Sequence, residues 1–333
     1  MNIIKKSSLL FLLCTGIYLM LSLALSAFLR DVSQDAAMLI SSIAVSIPAF
    51  LLPALWFRRR ESFPRFKAPP FTHILIAAAI GVGSVLMNEA LSLITGGIFY
   101  GVEIQSNSTT AATIAGMDPI VMIVSLVLIP PVSEEFIMRG TLLESFLRGS
   151  PVWGAVLTSL LFALLHAAPS SILIYFGLGM VFAFVYIITR NVWLTMTVHL
   201  VNNLSAVILA LTAADAAADP DALIDASVQD IATLPDPHMV LYLLNGISLA
   251  IAAGAIIVPL IFLLKSSCKK RGLGMYRQGE DSLEDGSLLP LEEGMQPAGR
   301  RPELIPNTYL WLCLGLLIVL NVISGLSEFG VLK

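Results

Sequence analysis

Apolar residues occur in nine stretches that short polar segments separate. The stretches lie at residues 8–28, 36–57, 71–97, 118–147, 152–168, 170–189, 192–212, 239–264 and 307–326. A helix needs ~20 mostly apolar residues to cross a bilayer. Most of the stretches reach this length, although the fourth is longer than a simple span and the fifth is short. The pattern predicts an all-α fold, a polytopic transmembrane helix bundle of about nine spans.

Two local signals refine this prediction. Pro130 and Pro131 lie inside the fourth stretch, and proline removes a backbone donor, so we expect a kink or break there. Lys5 and Lys6 precede the first apolar run, which would suit a signal peptide cleaved near Ser26. The apolar core of a signal peptide is usually ~7–15 residues. This run is longer, so a retained first helix is favoured.

Composition agrees with a membrane protein. Of 333 residues, 57% are hydrophobic and 13% are charged, whereas soluble domains average about 25% charged residues. The net charge of −4 says little about partners, because in a membrane protein the side on which the charges fall matters more than their sum. The bilayer is the predicted partner, and nucleic acid is not expected to be one. Cys14, Cys268 and Cys313 match neither a disulfide framework nor a zinc spacing, so we interpret them as apolar filler.

Basic residues predict the orientation, because cytoplasmic loops are enriched in Lys and Arg. With the amino end inside, all of the 19 Lys and Arg residues except Arg30 and Lys333 fall on the inner side. This predicts a cytoplasmic N-terminus and an outside C-terminus. The short loops and the lack of retention signals favour a bacterial plasma membrane.

Six regions follow along the chain. Residues 1–114 are predicted to hold the N-terminal transmembrane helices, and residues 115–212 form a core whose apolar stretches contain charged and polar residues. Two loops flank the transmembrane helix at 239–264: an acidic exterior loop at 213–238, which has six Asp and no Lys or Arg, and a flexible cytoplasmic linker at 265–306. A C-terminal transmembrane helix at 307–333 completes the order.

Polar residues inside the spans carry the candidate chemistry, because a charged side chain at membrane depth is costly unless it is paired or faces water. Three motifs stand on separate predicted helices: Glu134-Glu135-x-x-x-Arg139, Phe162-x-x-x-His166 and His199-x-x-x-Asn203. Glu135 and Arg139 are four residues apart and lie on one helix face. Glu134 is turned ~100° away from Glu135.

Depth along each helix suggests that the three motifs can meet. At a rise of ~1.5 Å per residue, Glu134 lies ~20 Å from residue 148, His166 ~22 Å from residue 151 and His199 ~13 Å from Arg190. All three therefore lie near the middle of a ~30 Å core. Taken alone, a Glu-Arg pair four apart is more often structural, and a single buried His is as often packed as working. Asn88 and Glu89 are interpreted as a cavity-lining or bundle-packing pair, and His73 and His238 as interfacial residues.

In this order, the three motifs resemble the CAAX protease and bacteriocin-processing family, which includes the type II CAAX prenyl endopeptidases. The resemblance covers roughly residues 115–210. It implies an intramembrane endopeptidase in which Glu134 and His166 activate a water.

The resemblance also implies supporting roles. His199 and Asn203 would hold the developing oxyanion or contribute to a metal site, and Glu135, Arg139 and Phe162 would order the site. The implied substrate is a membrane-associated peptide or protein, such as a bacteriocin precursor. A prenylated substrate is disfavoured for a bacterial protein.

Metal dependence stays open at this point. Glu134, His166 and His199 are suitable ligands for a catalytic Zn²⁺, and the family is often called a metalloprotease. The His-Glu-x-x-His helix of common zinc proteases is absent, and the family is also described as using a glutamate-activated water without metal. Both mechanisms are kept.

Two alternatives without proteolysis remain. A non-catalytic membrane scaffold or bacteriocin-immunity protein of the same fold would bind a peptide in the same cavity. A proton-coupled carrier would use the same Glu and His residues as relays, but matching halves with Gly-broken helices are not visible.

Overall fold

The computed structural model describes residues 2–63, 67–99, 117–216, 237–274 and 307–328. These residues form nine helices and, within those ranges, no strand. We number them α1 (Ile3–Phe28), α2 (Gln34–Arg60), α3 (Phe71–Ile98), α4 (Pro119–Phe146), α5 (Pro151–Leu165), α6 (Ile172–Thr189), α7 (Val192–Ala216), α8 (Pro237–Arg271) and α9 (Thr308–Glu328).

The predicted all-α polytopic bundle is confirmed. Eight of the helices in the described residues are long and apolar enough to cross a membrane. The exception is α5, whose 15 residues cover ~22 Å, less than the ~30 Å of a bilayer core. A turn at residues 166–171 continues beyond its end and leads into α6. The orientation of the bundle stays a prediction.

The helix ends differ from the predicted ones at two long loops. The last helical residue of α7 is Ala216, so 213–216 of the expected acidic loop are helical. In α8 the helix continues to Arg271, so 265–271 of the expected linker are helical as well. In both helices the backbone hydrogen bonding continues beyond the predicted end of the apolar run. Residues 217–236, 275–306 and 329–333 lie outside the described residues.

The bundle is built around α3, which packs against α6, α7 and α8. Glycine permits this close packing: a Cβ added to Gly81 would come within 2.8 Å of the Val198 carbonyl oxygen in α7. A Cβ on Gly83 would come within 3.0 Å of Ile257 in α8. These two glycines therefore serve packing inside the bundle.

The first helix is part of the bundle. Its amino-terminal end is joined to the end of α2 by an ion pair between Lys6 Nζ and Glu61 Oε2 at 2.8 Å, and to the start of α9 by a hydrogen bond from Asn307 Nδ2 to Ser8 Oγ at 2.7 Å. Phe11 and Cys14 are buried against the other helices. The first helix thus packs against the rest of the bundle, and its retention stays a prediction. All three cysteines are free and buried, as expected of apolar filler.

A polar cluster joins three helices at one end of the bundle. The Tyr186 hydroxyl donates to Glu144 Oε2 at 2.8 Å, and Arg190 forms an ion pair with the same carboxylate at 3.2 Å. The guanidinium of Arg58 in α2 donates to the carbonyl oxygen of Gly140 in α4. The cluster fixes the ends of α2, α4 and α6 relative to one another.

Candidate active site

The two prolines of α4 explain its irregular backbone. Ile129 N–H bonds the carbonyl of Val124, five residues back, and neither Pro130 nor Pro131 has an N–H to donate. The carbonyls of Ser125 and Leu126 therefore lose their partners within the helix. Side chains from two other helices replace those partners: Ser42 Oγ donates to the Ser125 oxygen at 3.2 Å, and Asn203 Nδ2 donates to the Leu126 oxygen at 2.9 Å.

At the prolines, where a kink or break was predicted, α4 continues as a helix with altered hydrogen bonding, and Asn203 bonds to one of the freed carbonyls. π-Helical turns lie on both sides of Ile129–Ile137, at Ile123–Leu128 and Met138–Leu143, and such turns are frequent at functional sites. Asn203 donates one amide hydrogen to the Leu126 carbonyl oxygen of α4. Its second amide hydrogen is left for another acceptor.

A buried ionic group links α4, α6 and α7. Arg139 Nη1 donates to Glu135 Oε1 at 3.0 Å, as the spacing of four residues predicts. Arg139 Nη2 donates to the Gly179 carbonyl of α6 at 3.1 Å, and His199 Nδ1 of α7 contacts the same Glu135 oxygen at 3.1 Å. Both Arg139 and Glu135 are completely buried. The carboxylate of Glu135 thus holds Arg139 and His199 together.

Aromatic rings enclose this ionic group. The Arg139 guanidinium lies over the rings of Phe162 and Phe182, with its central carbon 4.7 and 5.1 Å from the ring centres. The His199 ring stacks on Phe182 at 4.7 Å between centres. Cation–π contact stabilises a guanidinium that has no water around it. Phe162, predicted as a supporting residue, therefore packs directly on the predicted site.

His166 is the C-cap residue of α5. Its backbone N–H bonds to Ala163, three residues back, which leaves the Phe162 carbonyl for the His166 ring at 2.8 Å from Nδ1. A carbonyl oxygen only accepts, so Nδ1 carries the proton. In the neutral ring Nε2 then keeps its lone pair. The ring stacks on Tyr175 of α6, with centres 3.8 Å apart and planes 16° apart.

Glu134 makes none of the contacts that join Glu135 to Arg139 and His199. Its carboxylate interacts electrostatically with His199 and Arg139 and with the hydroxyls of Tyr18 and Tyr175. Among the described residues, its Oε2 is buried and makes no hydrogen bond. A buried carboxylate oxygen without a protein partner is costly. It is suited to a partner that arrives from outside the protein, such as a water or a substrate.

The three key residues share neighbours. His166 and His199 both pack on the Phe162 ring, at 4.7 and 6.0 Å between ring centres. Tyr175 stacks on His166 and interacts with Glu134. Glu134, His166 and His199 therefore lie in one neighbourhood between α4, α5 and α7, although no hydrogen bond joins Glu134 directly to either histidine.

Metal binding by Glu134, His166 and His199 stays a prediction. In the described part of the chain, His, Cys, Asp and Glu side chains form no group of three or more that could hold a metal. The expected Zn²⁺ ligands Glu134, His166 and His199 are thus neighbours without being a ligand set. Each histidine does have its Nδ1 fixed by an acceptor, an orientation that ligating and catalytic histidines share. We derive no step through a metal.

Three further polar residues singled out in the sequence have described side chains: Asn88, Glu89 and His73. Asn88 Nδ2 of α3 donates to Asn202 Oδ1 of α7 at 3.0 Å, so Asn88 serves bundle packing. The Glu89 side chain is exposed on the outside of the bundle, which does not fit the expected pair. His73 Nε2 contacts Ser267 Oγ at 2.8 Å and is buried between α3 and α8, so it is a packed residue. His238 lies outside the residues whose side chains are described.

Several residues at the site were not predicted from the sequence. Phe182 is one of many apolar residues in α6 and carried no signal. Tyr175 had a weak one, because a polar hydroxyl inside an apolar span needs a partner. Tyr18 lies on α1, far from the motifs in sequence, and only the fold brings it near Glu134.

The family comparison covers this site. A model of the type II CAAX prenyl endopeptidase Rce1-like family matches residues 116–205, a range that includes all three motifs. The chain carries an Rce1-like domain. The resemblance inferred from the motifs is therefore confirmed. In the structure, the Rce1-like domain consists of α4, α5, α6 and the first half of α7.

Two curated bacterial proteins are similar to the chain. The "Membrane-embedded CAAX protease MroQ" of Staphylococcus aureus (strain USA300) is 27% identical over 168 residues, which are 48% of this chain and 65% of that protein. The "Putative membrane peptidase YdiL" of Bacillus subtilis (strain 168) is 30% identical over 114 residues, 34% of this chain and 46% of that protein. The chain thus matches less than two thirds of either relative. No solved structure matches it significantly.

Proposed function

We propose that this protein is an intramembrane endopeptidase. It hydrolyses a peptide bond of a membrane-associated peptide or protein with a water that Glu134 and His166 activate. The observation that carries the proposal is the shared neighbourhood of the three motifs of the Rce1-like domain, in which Glu134 Oε2 has no partner among the described residues. The two similar bacterial proteins are named as a membrane protease and a membrane peptidase, which supports the same reaction class.

Glu134 and His166 each offer the attacking water a hydrogen-bond acceptor. Glu134 has an unpaired carboxylate oxygen, and the neutral His166 ring has its lone pair on Nε2 because Nδ1 donates to Phe162. A water that donates to both is oriented for attack. Its oxygen bonds to the scissile carbonyl carbon while its proton moves to Glu134. Glu134 then delivers this proton to the nitrogen as the C–N bond breaks.

The negative charge that develops on the scissile carbonyl oxygen of the substrate needs hydrogen-bond donors. Asn203 supplies its second amide hydrogen, because the first is held by the Leu126 carbonyl. His199 supplies a donor from Nε2 only when both ring nitrogens carry protons, since Nδ1 faces the Glu135 carboxylate. Donors held in place before the reaction stabilise the charge without reorganising. Glu135 and Arg139 act by holding His199.

In this proposal zinc is not required. A bound Zn²⁺ would lower the pKa of its water and polarise the carbonyl. We prefer the metal-independent form because the three candidate ligands do not form a group in the described residues. Peptide cleavage that persists in excess chelator agrees with this form. Cleavage that stops with chelator and returns with Zn²⁺ contradicts it.

The activity is tested with purified protein in lipid nanodiscs. A panel of leader peptides, a bacteriocin precursor and a prenylated CAAX peptide is incubated with the wild type and His166→Ala, and products are identified by mass. We expect the wild type to produce two fragments whose masses sum to substrate plus one water. His166→Ala, folded to the same extent, produces neither. A folded wild type that binds a peptide and leaves the whole panel intact would instead favour a scaffold.

Stacking on His166 gives a residue-level prediction. Tyr175→Ala removes the ring that orients His166, and an aromatic pair contributes about 0.5–1.5 kcal/mol. We therefore expect kcat to fall about three- to tenfold. Tyr175→Phe keeps the ring and is the matched control, with kcat near the wild-type value. If Tyr175→Phe is as slow as Tyr175→Ala, the hydroxyl and not the stacking is what matters.

A further inference from the structure

The last helix, α9, forms hydrogen bonds with the turn that carries His166. Asn321 Nδ2 of α9 donates to the Leu164 carbonyl at 2.7 Å. Ser324 Oγ donates to the Ala167 carbonyl at 2.5 Å. These two contacts lie on either side of His166 in the sequence. The turn between α5 and α6 is therefore held from outside on both sides of the predicted catalytic residue.

A third contact holds the far end of the same turn. The Glu328 carboxylate accepts hydrogen bonds from the Ser170 backbone N–H, at 3.4 Å, and from the Ser170 hydroxyl. Ser170 lies at the short turn that begins α6. Backbone N–H groups at the start of a helix have no partner within it and attract negative charge. Glu328 thus caps α6 from another helix.

The three α9 residues form one face. Positions 321, 324 and 328 are separated by three and four residues, which places their side chains along a single side of the helix. α9 lies outside residues 116–205, the part of the chain that matches the family model. The contacts are thus made by a helix that the domain match does not include.

The turn needs such support because its backbone is not regular. Ala167 has a φ of 48°, a left-handed conformation that is unfavourable for a residue with a side chain. Its carbonyl oxygen accepts from Ser324. At membrane depth there is little water to pair with such a group. The α9 side chains replace that water and stabilise this one conformation.

We propose that α9 is a positioning helix for catalysis. The polar face of Asn321, Ser324 and Glu328, which we call the α9 clamp, sets where the His166 ring stands relative to Glu134. The proposal rests on the proposed peptidase function, because it concerns the same His166. The clamp residues touch neither the reacting water nor the substrate. Their loss is expected to slow the chemical step and leave substrate binding intact.

Kinetics of matched variants test the clamp. Asn321→Leu and Glu328→Leu each remove clamp hydrogen bonds, and we expect kcat to fall about tenfold or more, with KM unchanged. Glu328→Gln keeps an acceptor oxygen for Ser170 and should restore most of kcat. Asn307→Leu removes a hydrogen bond of the same helix that goes to Ser8 instead, and kcat should remain at the wild-type value. Wild-type kcat in folded Asn321→Leu and Glu328→Leu would overturn the proposal.

Hydrogen exchange keeps the clamp testable if no peptide is cleaved. Amides of residues 166–171 are followed by mass spectrometry in nanodiscs. We expect faster exchange in Glu328→Leu and in the milder Ser324→Ala than in the wild type or Asn307→Leu. Equal exchange in all four proteins would refute the clamp. Faster exchange together with an inactive wild type would support the clamp and refute the peptidase function.

Discussion

Glu134→Gln is expected to lower kcat for peptide hydrolysis by about 10²- to 10⁴-fold. The amide has nearly the shape of the carboxylate, so packing against α1 and α6 is preserved. It does not accept a proton at neutral pH, so the attacking water loses its base. KM should change little, because Glu134 acts on the water and not on the bound peptide. Steady-state cleavage of the best peptide from the panel measures both constants.

A second carboxylate serves as control. Glu61 is ion-paired with Lys6 between α1 and α2, away from the three motifs, and Glu61→Gln should cleave at the wild-type rate. Equal unfolding temperatures of the two variants would show that the loss in Glu134→Gln is chemical. A Glu134→Gln protein that keeps kcat would mean that another group activates the water.

Arg139→Leu is expected to cause the largest loss of stability. It leaves Glu135 charged and fully buried, with His199 Nδ1 as its neighbour, and breaking a buried ion pair from one side costs about 3–5 kcal/mol. The cation–π contacts with Phe162 and Phe182 are lost as well. Thermal unfolding in detergent, or yield of folded protein, measures the effect. Arg59→Leu, at an exposed arginine of α2, is the matched control.

A double variant separates stability from activity. Glu135→Leu combined with Arg139→Leu removes both charges, and replacing a whole buried pair by apolar residues is often neutral. We expect much of the stability to return. Activity should stay lost because His199 Nδ1 no longer has the Glu135 acceptor that orients its ring. Recovery of activity along with stability would show that Glu135 has no part in positioning the site.

Much of this architecture follows from the sequence because a membrane imposes simple rules. Apolar length predicts spans, and the nine helices begin and end within a few residues of the predicted bounds, apart from the polar extensions of α1, α7 and α8. The four-residue spacing of Glu135 and Arg139 predicts their ion pair. The two prolines predict an irregularity in α4. These are local rules, and they need no knowledge of which helices are neighbours.

Other features depend on the neighbours. The Asn203 bond to the Leu126 carbonyl exists because the prolines free a carbonyl that faces α7, and helical spacing alone suggests only that Asn203 shares a face with His199. His199 pairs with Glu135, whereas spacing on separate helices did not indicate which carboxylate it would meet. The polar residues of α9 gave no signal as a group until the fold placed them beside the α5–α6 turn.

The proposed hydrolysis requires Glu134 and His166 to act on one water. A double-mutant cycle measures this directly, with kcat/KM determined for the wild type, Glu134→Gln, His166→Ala and the double variant in nanodiscs. Residues that act as a unit are strongly non-additive, so the double variant should retain about the activity of the slower single variant. If the two losses multiply in a folded double variant, the residues act independently and the shared site is wrong.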